Sequence, residues 1–184
     1  MKCDYKSLSK YQFYCIIQPT MKKSIWLLSL LWILVLSWCG SSNVVEYNDN
    51  FVELVRECTD ANQQLYQNFK TEWSTLDSIE QYLENNISIC QNALTKASQM
   101  KDYDGDSSLK DAVTSLLAME VDYLQKFSST KPYRNIDNLT EEDKDSYNWI
   151  VNDLNESQNT LNSQFERLQD VQEAFAAKHG LKLN

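Results

Sequence analysis

Few residues in this chain carry reaction chemistry. It has five cysteines, Cys3, Cys15, Cys39, Cys58 and Cys90, and one histidine, His179. No two cysteines stand as CxxC, so a finger-type zinc site is not supported. Asp102, Asp104 and Asp106 alternate as calcium ligands do. An EF-hand, however, needs glycine at the sixth loop position and glutamate at the twelfth. Counted from Asp102, those places hold Ser107 and Val113, and the stretch reads as a turn with a helix cap. A di-iron bundle needs two Glu-x-x-His pairs, which one histidine rules out in its usual form. A Met–His haem site, or a Ser or Cys nucleophile with a histidine base, would each need His179. That residue sits where a last helix should end, and its partial positive charge suits a helix C-terminus. Carboxylates are plentiful but read as surface groups, whereas a general acid needs a buried or crowded site. No catalytic, cofactor-binding or metal-ligating residue is therefore assigned, and no cofactor is expected.

Cys39 has the clearest context. Lys22 and Lys23 lead into an apolar run from Ile25 to Trp38, and Gly40, Ser41 and Ser42 follow the cysteine. A charged start and an apolar centre are the parts of an export signal. The run is shorter than the roughly 20 residues of a spanning helix. Leu36-Ser37-Trp38-Cys39 resembles the lipobox of bacterial lipoproteins, in which the signal is cut before a cysteine that carries diacylglycerol. Cys39 is thus the expected lipidation site. Trp38 departs from the small residue usual before that cysteine. A UGA codon read as glycine in the source, but translated as Trp, would turn the stretch into KKSIGLLSLLGILVLSGCGSS. A UGG codon at position 38 would end that idea. Residues 1–20 show neither a clear period nor caps, so translation is expected to begin at Met21, with 1–20 a non-native extension; an unusually long n-region is the other reading.

Cys58 and Cys90 stand on the apolar stripes of two successive helices. Folding the hairpin near residue 72 puts Cys58 about 11 residues before one end and Cys90 about 15 past the other start, a mismatch of about 6 Å. A disulfide there, outside the cytoplasm, would stabilise the fold by about 2–4 kcal/mol. Two free thiols acting as small core residues are the other reading. The two stand close to even, with a lean towards free thiols.

The elements behind these residues are helical. Gly (3) and Pro (2) are scarce, which favours long helices with few turns. Val44, Tyr47, Phe51, Leu54, Val55, Cys58, Leu65 and Phe69 recur in steps of mostly three and four and predict a helix over 44–70. Ser74 and Asp77 start a second, over 75–100, with Leu76, Ile79, Leu83, Ile87, Cys90, Leu94 and Ala97 inward. Gly105 breaks the chain, and Asp106 or a following serine caps a third helix over 107–128. Its inward set is Leu109, Val113, Leu116, Tyr123 and Phe127, with Met119 and Leu124 at the edges. Thr140 caps a long fourth helix over 141–178, with Gly180 ending it and Gln158 on a core-facing step. The expected fold is all-α: an antiparallel up-down-up-down four-helix bundle over 44–180, preceded by an N-terminal hydrophobic signal helix (21–39) and a tether at 40–43, with a tail at 181–184.

Charge limits the partners. The formal net charge is −9, but residues 1–39 carry five lysines against one aspartate, which leaves −13 on the rest. An acidic body disfavours nucleic acid, and none is expected as a partner.

Three segments are similar to a family of uncharacterised bacterial surface lipoproteins best known from spirochaetes. They are VVEYNDNFVELVRE at 44–57, MKDYDGDSSLKDAV at 100–113 and VQEAFAAKHGLKL at 171–183. The resemblance implies export, a lipid anchor and a helical bundle, and transfers no catalytic residue. The expected function is that of an exported, lipid-anchored surface or periplasmic bundle, an interaction or structural module and not an enzyme. Its expected partners are the membrane, through the anchor, and an unidentified protein. The alternatives are a small-ligand or metal-binding sensor using core polar residues such as Gln158, and, after that, an enzyme with a carboxylate site.

Overall fold

A computed structural model describes residues 42–71, 76–133 and 140–181. The extension at 1–20, the signal stretch with Cys39, and most of the tail lie outside the described residues. Within them are four α-helices and no β-strand: α1 (Ser42–Thr71), α2 (Leu76–Gln99), α3 (Ser108–Ser128) and α4 (Glu141–Lys178), with a 3-10 turn at Lys131–Tyr133. None of the described helices is long and apolar enough to cross a membrane. Helix α1 begins at Ser42, so Ser42 and Asn43, expected in the tether, are already helical.

The ends of the helices follow local chemistry. Thr140 opens α4 with a reciprocal cap: its hydroxyl accepts from the Asp143 backbone N–H at 3.2 Å, and its own N–H donates to the Asp143 carboxylate at 2.9 Å. At the other end Gly180 takes φ +72°, and the Leu181 N–H reaches back to the Ala176 carbonyl at 2.8 Å. That is a six-to-one closure in which the left-handed residue costs least as glycine. Between α2 and α3, Asp104 (φ 48°) and Gly105 (φ 76°) form a tight turn. Tyr103 and Asp106 on either side exchange backbone hydrogen bonds of 3.2 and 2.8 Å. Two successive positive φ values suit the Asp-Gly pair found here. The cap of α3 is the Asp106 carboxylate, which accepts from the Ser108 N–H at 3.0 Å. Ser107 occupies the cap position without a side-chain hydrogen bond of that kind.

Neighbouring helices run in opposite directions. Glu57, Cys58 and Ala61 of α1 meet Lys96, Cys90 and Asn86 of α2 in reversed order. Lys126, near the end of α3, binds Asp153 of α4, while Asp106 at its start binds Lys178. Helix α4 has 38 residues to the 21 of α3, about 57 Å against about 32 Å. Its first turns therefore project past the end of α3.

Helix α3 is the central element and packs on α1, α2 and α4. It buries Leu109, Val113, Leu116, Leu117, Glu120, Val121, Leu124 and Phe127, more than a single stripe. This corrects the expected inward set: Leu124 belongs to the core, and Tyr123 is only half-buried against it. Three neighbours leave α3 with little free circumference, so residues at the edge of a stripe are covered too. On α4 the fully buried polar side chain is Gln172, while Gln158 is half-buried.

Candidate functional site

One end of the bundle gathers the start of α1, the Tyr103–Asp106 turn and the end of α4. The ring centroid of Tyr47 lies 5.0 Å from Phe51, 5.2 Å from Tyr103 and 5.6 Å from Phe175. His179 stands edge-on to Tyr103 at 5.0 Å and 4.5 Å from Phe175. Spacings of this size are those of favourable aromatic contacts. The segments 44–57, 100–113 and 171–181, which are far apart in the chain, therefore share this end.

Asp106 is the polar centre of that end. Its Oδ2 accepts from Lys178 Nζ at 2.7 Å and lies 3.0 Å from His179 Nε2, while Oδ1 takes the Ser108 N–H. Its side chain is only 9% exposed. Lys178, then the Ser108 contacts and His179, hold the Asp106 carboxyl far below its ordinary value of 3.8, well past the opposing effect of burial. The group is an ionised clamp, fixing the end of α4 to the α2–α3 turn. The alternating aspartates do not form a calcium loop: Asp106 is committed to Lys178 and His179, and Asp102 pairs with Lys110. Among the described residues no group of three or more His, Cys, Asp or Glu is placed to hold a metal.

Two more polar pairs lie inside the bundle. Gln172 Nε2 donates to Asn48 Oδ1 at 2.9 Å, joining α4 to α1. Beside this pair is a crevice lined by Phe51, Val55, Leu109 and Leu168 with room for about one water. Deeper in, Glu120 of α3 is 7% exposed, and its Oε2 accepts from Asn62 Nδ2 of α1 at 2.8 Å. Burial pushes the Glu120 carboxyl up to about 7, which the Asn62 hydrogen bond only partly offsets. Burial and the charge of Glu120 push the neighbouring Tyr123 up to about 12. Asn62 Nδ2 also lies 3.9 Å from the Cys58 sulfur.

Cys58 and Cys90 are joined by a disulfide with their Cα atoms 4.8 Å apart, and both are fully buried. The free-thiol lean taken from spacing is not what the structure has. The hairpin register closes the expected mismatch, because Glu57–Lys96 and Ala61–Asn86 bracket the two cysteines. Cys39 lies outside the described residues.

Sequence reasoning missed Asn48, Asn62, Glu120 and Gln172 as inward groups. The signal was the step itself. Asn48 and Asn62 fill the gaps in the series 44, 48, 51, 55, 58, 62, and Glu120 fills the gap in 109, 113, 116, 120, 124, 127. Gln172 does the same between Leu168 and Phe175. Polar side chains at apolar steps, three to four residues from buried neighbours, are the pattern to look for.

Comparison with known proteins gives no matching family model, no matching curated protein and no matching solved structure.

Proposed function

We propose that the chain is an exported, lipid-anchored bacterial surface or periplasmic protein. Its body is an up-down-up-down bundle behind a signal helix, and it serves as an interaction or structural module and not as an enzyme. The observation that carries this reading is the buried Cys58–Cys90 disulfide. Disulfides persist in oxidising compartments outside the cytoplasm, which agrees with a signal that ends at Cys39. Helix α1 starts at Ser42, three residues after that cysteine, so an anchored body would stand against the bilayer. The bundle end nearest the anchor is the one built from the segments similar to spirochaete-type surface lipoproteins. The polar groups there are spent on structure: Asp106 with Lys178, Ser108 and His179, and Asn48 with Gln172. The unidentified protein partner would then meet the exposed faces of the helices. The crevice beside Asn48 suits a water and gives the small-ligand reading no support.

Metabolic labelling with palmitate in the source cell tests the proposal. Label is expected on the wild-type chain and absent from Cys39→Ala. A Cys39→Ala chain that still takes label, or a wild-type chain that takes none, would remove the anchor. An unlabelled Cys39→Ala chain that still partitions into detergent with its signal intact would point to a spanning helix.

A further inference from the structure

Glu120 has a partner that is only half used. The Asn62 amide gives one N–H to Glu120 Oε2, but Asn62 Oδ1 is enclosed and has no hydrogen-bond partner. An enclosed acceptor without a donor is costly, and a lone ionised carboxylate in the same place is costlier. Both costs have one remedy. A carboxylic acid presents an acceptor and a donor along one edge, and a primary amide presents a donor and an acceptor along its own. We propose that Glu120 is held as the neutral acid and closes a two-bond pair with the Asn62 amide, making the α1–α3 contact a clamp that its proton operates. In the closed form one Glu120 oxygen accepts from Asn62 Nδ2, and the O–H on the other donates to Asn62 Oδ1. Loss of the proton to solvent leaves one hydrogen bond, an enclosed unpaired oxygen and a buried negative charge.

Among the described residues the surroundings supply no cation to rescue that charge. On α1, Arg56 binds Glu53, and Glu57 binds Lys96 of α2. On α3 itself, Lys126 is taken by Asp122 and by Asp153 of α4. Among the described residues no charged side chain of α1, α2 or α4 acts on Glu120, and Tyr123 is its titratable neighbour. Burial then raises the acid to about 7 from 4.5. Because the folded value lies above the unfolded one, the sign is fixed. Stability is full below about pH 4.5, falls as the pH rises, and levels off above about 7. The Cys58–Cys90 bond beside Asn62 ties α1 to α2 in either state, so opening the clamp weakens the α1–α3 contact without freeing α1 from α2. This device does not depend on whether the chain is anchored.

Urea unfolding of the full chain at pH 5.5 and pH 8.0, beside Glu120→Gln, is the test. Glutamine keeps the shape and can form both amide hydrogen bonds, but it does not titrate. The wild-type folding constant is expected to fall about 25-fold more than that of Glu120→Gln between the two pH values. If Glu120→Gln does not fold, Glu120→Met must show the same flattened profile. Isotope-edited infrared spectra of the wild type give a readout that packing alone would not move: a protonated-carboxyl band at pH 5.5 that fades by pH 8 and is missing in Glu120→Gln. Profiles that fall in parallel, or no protonated band at pH 5.5, would overturn the proposal.

Discussion

Asp106 and Glu120 are both buried acids on or beside α3, and they are kept in opposite states. Asp106 lies at the bundle end, 2.7 Å from a lysine, 3.0 Å from a histidine and on a backbone N–H. Glu120 lies in the middle with a single amide N–H at 2.8 Å. Their exposure is similar, 9% and 7%, but Asp106 is covered at the rim and Glu120 deep between helices, so burial weighs far more on Glu120. The company differs as well: a lysine and a helix N-terminus favour the Asp106 anion, while at Glu120 the single Asn62 amide N–H only partly offsets the burial that favours the acid. One fold thus uses a carboxyl as a permanent ionic clamp at its end and another as a titrating one inside. The two acids also push stability in opposite directions with pH. The contribution of Asp106 is present above its unfolded value of 3.8 and is lost as the pH falls through its lowered folded value. That of Glu120 is lost as the pH rises from about 4.5 to about 7.

The covalent tie beside Glu120 gives the largest expected effect. Replacing Cys58 and Cys90 by serine should cost about 3–4 kcal/mol, because the bond closes a loop across a separation of 32 residues. Calorimetry under non-reducing conditions measures this. If the tie and the acid are independent, the double variant keeps the wild-type fall between pH 5.5 and 8. Asp106→Asn comes next. It leaves the Lys178 ammonium without its carboxylate and weakens a helix cap, for about 2–3 kcal/mol at neutral pH in urea unfolding. Lys178 is 63% exposed, so water screens its share, and the figure stays below that of a fully buried ion pair. The gap between Asp106→Asn and wild type should narrow below about pH 4, where Asp106 of the unfolded chain takes up a proton while that of the folded chain stays ionised. Glu120→Gln should change the stability difference by about 2 kcal/mol between pH 5.5 and 8, with the opposite sign of pH dependence. The smallest effect belongs to the neutral pair. Gln172→Met, at similar volume, should cost about 1 kcal/mol by leaving Asn48 Oδ1 without its donor, with the same loss at pH 5.5 and 8. A pH-dependent loss there would mean that the pair is coupled to one of the acids.

Much of the fold is legible in the sequence, and for plain reasons. Apolar steps of three and four placed four helices within two residues of their ends. Thr140, Asp106 and Gly180 do at those ends what their side chains or flexibility allow. The site was less legible. A stripe argument counts apolar residues and passes over the polar ones between them, so Glu120 and Gln172 were not seen as core. Which of Tyr123 and Leu124 faces inward depends on how many neighbours α3 has, and that is a property of the assembled helices. The pairing of Asp106 with His179 spans 73 residues and has no local trace beyond the two residue types. The cysteine pair was within reach of the spacing, but the choice between disulfide and thiols turned on a register that boundary estimates did not resolve.

The contrast between the two acids can be measured directly. Side-chain carboxyl carbons of the isotope-labelled full chain, followed by nuclear magnetic resonance from pH 2.5 to 8.5, report each proton at its own residue. The account predicts that the Asp106 carbon stays at its ionised shift through most of the range, while the Glu120 carbon keeps its protonated shift up to about pH 6 and moves near pH 7. Both carbons titrating together near pH 4 would contradict it.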